Sequence, residues 1–266
     1  MIENVFWIFA LGAAGLGVIL GSFLNALLFR FNTGKGMGGR SRCMRCNHSL
    51  VALDLVPIAS YLFLGGRCRY CSAKISLQYP LVEAVAGVLS VKIFFLTAPD
   101  VLHFALLLGI WLTILFIVVY DVRHMVIPWS SSILLFVLAA LHLLLVPPSS
   151  LWNLFAGPLL ALPFLLLSLV SNGRWMGWGD SGLELSLGML LGLTPGITAL
   201  LLGVWSGALV GIALILIARL TPTKHSRVKG EGFTIHSEIP FAPFLALGAA
   251  LVFFFHVDFF STVSFF

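Results

Sequence analysis

What most constrains this chain is a succession of apolar runs, most of them about as long as the stretch that crosses a bilayer as a helix. In order they cover residues 5–29, 81–96, 101–120, 126–146, 151–170, 183–193, 197–218 and 244–260, the sixth being short. Of the 266 residues 60% are hydrophobic and only 9% charged, with a mean hydropathy of +1.08. A soluble domain carries about 25% charged residues. The expected fold is therefore an all-α polytopic membrane protein of about eight transmembrane helices, with a small polar domain between helices 1 and 2. The first run is preceded by Met1-Ile2-Glu3-Asn4. An acid stands there where a cleavable signal peptide has a basic region, and the run is too long for a signal core, so it reads as a retained span.

Charge sets the orientation. Apart from Lys92, every Lys and Arg falls in segments 30–79, 121–125, 171–181 or 219–240. Basic loops stay in the cytoplasm. This places the N-terminus outside and all four segments inside. The net charge of +5 is thus a topology signal. It does not point to nucleic acid as a partner; membrane lipid is the expected surroundings. The first span is rich in small residues, including Gly17 and Gly21, which suit close helix packing in lipid. Ser22 and Asn25 near its end are polar enough to line a cavity. Residues 34–39 form a flexible joint; they lack the Gly-Lys-Ser/Thr ending of a phosphate loop. No internal repeat stands out.

Segment 30–79 holds all four cysteines, as Cys43-x-x-Cys46 and Cys68-x-x-Cys71 separated by 21 residues. Cytoplasmic thiols stay reduced. Four thiolates at this spacing suit tetrahedral Zn²⁺, with iron or a redox dithiol as alternatives. Such a site has no open position, so the metal would be structural, and a loop of roughly 50 residues needs such a staple. His48 is close by, but four thiolates already complete the set.

Two carboxylates carry the candidate chemistry. Asp121 follows the third span, and Asp180 follows the fifth in Met176-Gly177-Trp178-Gly179-Asp180-Ser181-Gly182. Charge at a membrane boundary is costly and points to function. Under the orientation above both emerge on the cytoplasmic side. If they meet, they would share one proton, as close like charges do. One would then activate water while the other polarises a carbonyl. The bland alternative is that each anchors a helix end or pairs with Arg123 or Arg174. Gly177, Gly179 and Glu83 are candidates for supporting the site, and Glu184 is a second acid within a span. Lys92 can snorkel to the outer surface. His103, His142 and His256 read as interior or interfacial. Trp7, Trp111, Trp129, Trp152, Trp175 and Trp178 read as an interfacial belt.

Taken in order, these pieces resemble a family. They are Gly21-Ser22-Phe23-Leu24-Asn25; the two Cys-x-x-Cys knuckles; Gly66 to Cys71 running into Ile75 to Glu83; Asp121 with Ile127-Pro128; Gly177-Trp178-Gly179-Asp180; and Ile239-Pro240-Phe241-Ala242-Pro243-Phe244. The chain resembles the type IV prepilin peptidases, membrane aspartic proteases of the Gly-x-Gly-Asp kind. The resemblance implies a bacterial inner-membrane endopeptidase that removes the leader of prepilins or pseudopilins at the cytoplasmic face. It implies Asp121 and Asp180 as the catalytic pair, and N-methylation of the new terminus with S-adenosylmethionine. It also implies a division into a first transmembrane helix (1–30), a four-cysteine zinc domain (31–79) and a transmembrane peptidase domain (80–266). Two positions depart from the family pattern: Trp129 stands where Asp or Asn is usual, which puts capping of the next helix in question. Gly182 stands where Lys is usual. They motivate an alternative, a pilin N-methyltransferase without proteolysis. A second alternative, motivated by the zinc loop, is a non-enzymatic scaffold of a secretion or pilus system.

Overall fold

The computed structural model describes residues 2–33, 39–146, 151–174, 176–220 and 239–259. The glycine-rich joint at 34–38, Pro147-Pro148, Trp175 and basic residues Lys224, Arg227 and Lys229 lie outside them, as does the Arg219 side chain. Every regular element among the described residues is helical, apart from two isolated β-bridges. The long helices are α1 (Ile2–Arg30), α3 (Gln78–Thr97), α4 (Val101–His124), α5 (Trp129–Leu145), α7 (Ala156–Ser171), α8 (Trp178–Leu191), α9 (Leu193–Leu220) and α10 (Ala242–Phe255). Two short ones, α2 (Ala59–Phe63) and α6 (Leu151–Leu154), lie between them, with a 3₁₀ turn at Ala52–Leu55. Four helices, α1, α3, α4 and α9, are long and apolar enough to cross a membrane; α5, α7 and α10 are shorter apolar helices. Their outward faces carry bare Leu, Ile, Phe and Trp, such as Leu11 and Leu209. Such faces suit lipid, where backbone groups must be satisfied within the helix.

Each expected span contains a helix, the fifth broken at Phe155 into α6 and α7 and the eighth ending at Phe255, and several boundaries differ. α4 runs one turn further than its apolar run, through Asp121 to His124. Asp121 thus sits within the helix rather than after it. A helix end at a headgroup boundary tolerates polar residues, so loss of apolarity does not end it. Likewise α8 begins at Trp178 and contains Asp180 in its first turn. The break between α8 and α9 falls at Gly192 (φ +84°), not at Thr194-Pro195-Gly196. Pro195 instead occupies the first turn of α9, where its missing N–H costs nothing. Gly192 takes the left-handed backbone, and the Asn153 side chain accepts the Leu193 N–H at 3.1 Å.

The chain divides into two compact units within α4, residues 1–116 and 117–266. In the first, α1 packs along α3. A Cβ on Gly17 would stand 2.5 Å from the Ala86 carbonyl oxygen, and one on Gly21 would stand 2.8 Å from the Glu83 Cα. The Gly17-x-x-x-Gly21 pair thus brings the two backbones together, as small residues do in membranes. In the second unit, α8 packs against α5, α7, α9 and α10. A Cβ on Gly188 would lie 2.8 Å from Gly157 Cα, so α7 and α8 meet backbone to backbone.

Candidate active site and metal centre

The first unit carries the four cysteines on two turns of the same build. Cys43 N–H donates to His48 O and Asn47 N–H to Cys43 O; Cys68 N–H donates to Ala73 O and Ser72 N–H to Cys68 O. Asn47 (φ +58°) and Ser72 (φ +55°) take the left-handed conformation that closes each turn. The bridges Arg42–Ser49 and Arg67–Lys74 complete the correspondence. The knuckles are therefore a local structural repeat, at an offset of 68 − 43 = 25 residues. Too few residues are shared for the repeat to show in the sequence.

The four Sγ atoms lie within 4.8 Å of one another. A tetrahedron of sulfurs about 2.3 Å from a Zn²⁺ has edges of about 3.8 Å. Cys43 Sγ and Cys71 Sγ are 3.8 Å apart. The N–H groups of Cys46 and Arg45 hydrogen-bond to the Cys43 sulfur and lower its pKa to about 6. Ala73 N–H does the same for Cys71, but burial and hydrogen bonds with its neighbouring thiols outweigh it and push that thiol up to about 11. Four sulfurs this close cannot all be thiolates without a cation among them. The residues present thus form a set that could hold a metal ion. Asp54, the one acid of the loop, ties the second knuckle down. Its Oδ1 lies 2.9 Å from Arg69 Nε, and its Oδ2 accepts from Tyr70 Oη at 3.2 Å. His48 is exposed and stacks on the Tyr70 ring at 3.7 Å.

The aspartates lie in the second unit. Asp121 is 5% exposed, and its Oδ2 accepts the Ala242 N–H at 3.2 Å. The Phe241 N–H also bonds to it. Ala242 opens α10, so the carboxylate faces the positive end of a helix dipole. The donor comes from the Phe241-Ala242-Pro243 stretch. Its role could not be read from sequence, because a backbone N–H carries no side-chain signature.

Asp180 is the third residue of α8, after the cap residue Gly177. The Gly177 N–H and the Asp121 carboxylate both lie near enough to its carboxylate to act on its charge. The structure therefore brings the two acids together. The glycines make room. A Cβ on Gly179 would stand 2.5 Å from the Ile127 Cβ, and one on Gly177 would stand 3.3 Å from Asp180 Oδ2. Gly179 is thus where α8 meets the α4–α5 connection, which carries Ile127-Pro128. Ile127 belongs to the sequence pattern, but its partner is not legible there.

At the first departure, α5 starts after Pro128 with no side-chain cap; the Ser131 hydroxyl donates to Pro128 O at 2.7 Å, a bond that serves a carbonyl and not a helix N–H. A Cβ on Gly182 would make ordinary contact with Ser132 Cβ at 3.6 Å. Glu184, one turn beyond Asp180, is 2% exposed. Glu83 belongs to the first unit, where its Oε2 accepts the Ile58 N–H at 2.7 Å. Lys92 is exposed on α3.

Fold and site together define a polytopic helical membrane protein that joins a four-cysteine module to a pair of interacting carboxylates at helix ends. Residues 16–97 match the Bacterial Peptidase A24 N-terminal domain, and residues 106–212 match the type IV leader peptidase family. The prepilin leader peptidase/N-methyltransferase of Aeromonas hydrophila is 34% identical over 215 residues, which cover 78% of this chain and 69% of the relative. Its namesake in Bacillus subtilis (strain 168) is 31% identical, covering 89% of this chain and 90% of the relative. That of Burkholderia pseudomallei (strain 1026b) is 29% identical, covering 92% and 85% respectively. No solved structure gives a significant match. The chain belongs to the type IV leader peptidase family. Its apolar helices and this family make it a multi-pass inner-membrane protein.

Proposed function

We propose that the protein is an aspartic endopeptidase that removes the basic leader of type IV prepilins or pseudopilins at the cytoplasmic face, and that Asp121 and Asp180 are its catalytic pair. The observation that carries this reading is the placement of Asp180 near Asp121, whose carboxylate is held by the N-terminus of α10. Two carboxylates in a site of low dielectric share a proton. The ionised member draws a proton from water as it attacks the scissile carbonyl. The protonated member donates to the carbonyl oxygen, where negative charge develops. A prepilin offers its cleavage site between a basic leader and an apolar helix. Its backbone must be extended there, and Gly177, whose Cβ would stand 3.3 Å from Asp180 Oδ2, keeps a side chain away from that carboxylate.

Cys43, Cys46, Cys68 and Cys71 would hold structural zinc; the sulfur–sulfur spacing supports this, and the full ligand set leaves no position for catalytic water. The relatives' shared name also supports N-methylation of the new terminus, with S-adenosylmethionine supplying the methyl group when bound. No residues are assigned to that donor. The excess of Lys and Arg in segment 30–79 supports a cytoplasmic zinc module and an outer N-terminus. We further read the chain as a first helix (1–30), a zinc module (31–79) and a peptidase domain (80–266).

Mass analysis of prepilin incubated with the protein in proteoliposomes tests this reading. Loss of the leader without added cofactor, and a further methyl group only when S-adenosylmethionine is present, are expected. Intact precursor under both conditions would contradict it.

A further inference from the structure

A second polar cluster lies in the first unit, on the seam between α1 and α3, and the peptidase reading makes no use of it. Asn25 is 3% exposed and Glu83 is 6% exposed. The Asn25 Nδ2 donates to the Tyr79 carbonyl at 3.0 Å. That bond fixes which way the amide points, since the reversed amide would set oxygen against oxygen. The Oδ1 is therefore an acceptor, and it is buried with no donor among the described residues. Orphaned buried polar atoms are rare in native proteins and need a reason.

The register of the two helices puts the cluster together. Gly21 abuts Glu83, and Asn25 reaches Tyr79, which lies one turn from Glu83 on α3. Ser22 precedes Asn25 by three residues on α1, and its hydroxyl lies beside Glu83. Asn25 and Glu83 thus sit about one turn, 5 Å, apart along the seam. The groups acting on Glu83 are its burial, the Ile58 N–H and the Ser22 hydroxyl, with no basic side chain among them.

The loop above is strained toward this point. Ile58 has φ +59° and ψ −52°, and Ala59 N–H donates to Pro57 O across it. This is the positive-φ form of the γ-turn, which is rare, and a β-branched residue there is a true outlier. Such strain persists only where surroundings enforce it, and it gathers at functional sites. Here it delivers the Ile58 N–H to the Glu83 carboxylate.

Among the described residues, then, no basic side chain acts on this buried carboxylate and no donor reaches the amide oxygen, so the seam is rich in acceptors and poor in donors. We propose that the seam of Ser22, Asn25 and Glu83 is a binding site for a primary ammonium group, chiefly the α-amine that leader removal exposes on the substrate. An ammonium carries the positive charge Glu83 lacks and the N–H donors that Asn25 Oδ1 lacks. This deepens the methylation reading and rests on it for the identity of the amine. An ethanolamine lipid headgroup has the same chemistry.

The full-length protein in nanodiscs of phosphatidylcholine and phosphatidylglycerol tests the site. The probes are a ten-residue apolar peptide with a free α-amine and the same peptide N-acetylated, each corrected for its binding to empty nanodiscs of the same lipids, because the charged amine and the neutral amide partition differently into an anionic bilayer. The wild-type protein is expected to prefer the free amine by about tenfold or more, the worth of one charge-assisted hydrogen bond. Glu83→Gln and Asn25→Leu should bring the ratio close to one. Equal binding of both peptides by the wild type, or a ratio unchanged in both variants, overturns the assignment. If Glu83→Gln does not fold, Asn25→Leu decides alone. Including phosphatidylethanolamine separates the sources: an unchanged ratio identifies the peptide amine as the ligand, and a collapsed ratio shows the headgroup competing for the same site. Methyl transfer from labelled S-adenosylmethionine to mature pilin is scored separately. Amine selectivity without methyl transfer sinks the methylation reading and leaves the site. Methyl transfer without amine selectivity sinks the site alone.

Discussion

Replacing Gly179 with alanine puts the proposed catalytic geometry under a defined stress. The added methyl would lie 2.5 Å from Ile127 Cβ, 3.2 Å from its Cγ1 and 3.3 Å from its Cδ1. Carbon atoms in contact prefer about 3.5–4.0 Å. The start of α8 must therefore move by about 1 Å or more, because the nearest atom is a Cβ fixed to its own backbone and cannot swing aside. Overpacking of this kind costs about 1–3 kcal/mol, which a folded bundle survives. Asp180 is the next residue, so the displacement falls on the carboxylate pair. A misplacement of reacting groups by about 1 Å costs about 10²-fold in rate. Gly179→Ala should therefore stay folded, keep its metal content and lose about 10²-fold in kcat for prepilin cleavage in proteoliposomes. Ile127→Gly removes the opposing Cβ, so the double variant should recover part of the loss; neighbouring sites couple in this way. Gly177→Ala, whose methyl would stand 3.3 Å from Asp180 Oδ2, should lose less. Wild-type kcat in Gly179→Ala, with its Tm unchanged, would refute the reasoning.

Three further outcomes are expected. Elemental analysis should find one zinc per chain, and Cys43→Ser or Cys68→Ser should lose it and melt the module at residues 39–77; a full metal content in both variants would contradict the ligand set. Glu184→Leu removes a carboxyl that is 2% exposed and should raise the Tm by relieving a desolvation cost of about 1–3 kcal/mol; a lowered Tm would show that hydrogen bonds to the carboxyl outweigh that cost. Gly17→Val should separate α1 from α3, lowering stability by about 1–3 kcal/mol or more through forced overpacking, as read from thermal unfolding in detergent.

Apolar runs announce the helices, because in lipid a spanning segment has few alternatives to a helix. The cysteine spacing announces the knuckles, since the ligand pattern is local. The aspartates stand out because charge is rare in such a chain. The remaining features depend on distant partners. The N–H that holds Asp121 belongs to Ala242, 121 residues away, and any residue but proline could supply it. Gly179 reads in sequence as freedom for the backbone, whereas its use is to let Ile127 approach. α4 passes through Asp121 because a helix ends where its hydrogen bonds end, and hydropathy reports only where lipid ends. The break at Gly192 is masked by the neighbouring Pro195, a stronger signal that here starts a helix. Ser22, Asn25 and Glu83 are each polar residues in apolar runs; only the register of α1 against α3 makes them a cluster.

The central claim is that two carboxylates work as one unit around a single proton, and the cleavage rates of Asp121→Asn, Asp180→Asn and the double variant test it most directly. Asparagine keeps the size of the side chain and an acceptor for the Ala242 N–H, so folding and metal content should hold. Each single variant should lose about 10²–10⁴-fold or more in kcat, and the double variant should be scarcely worse than either. Losses that multiply in the double variant, or a single variant that still cleaves at the wild-type rate, would contradict the account.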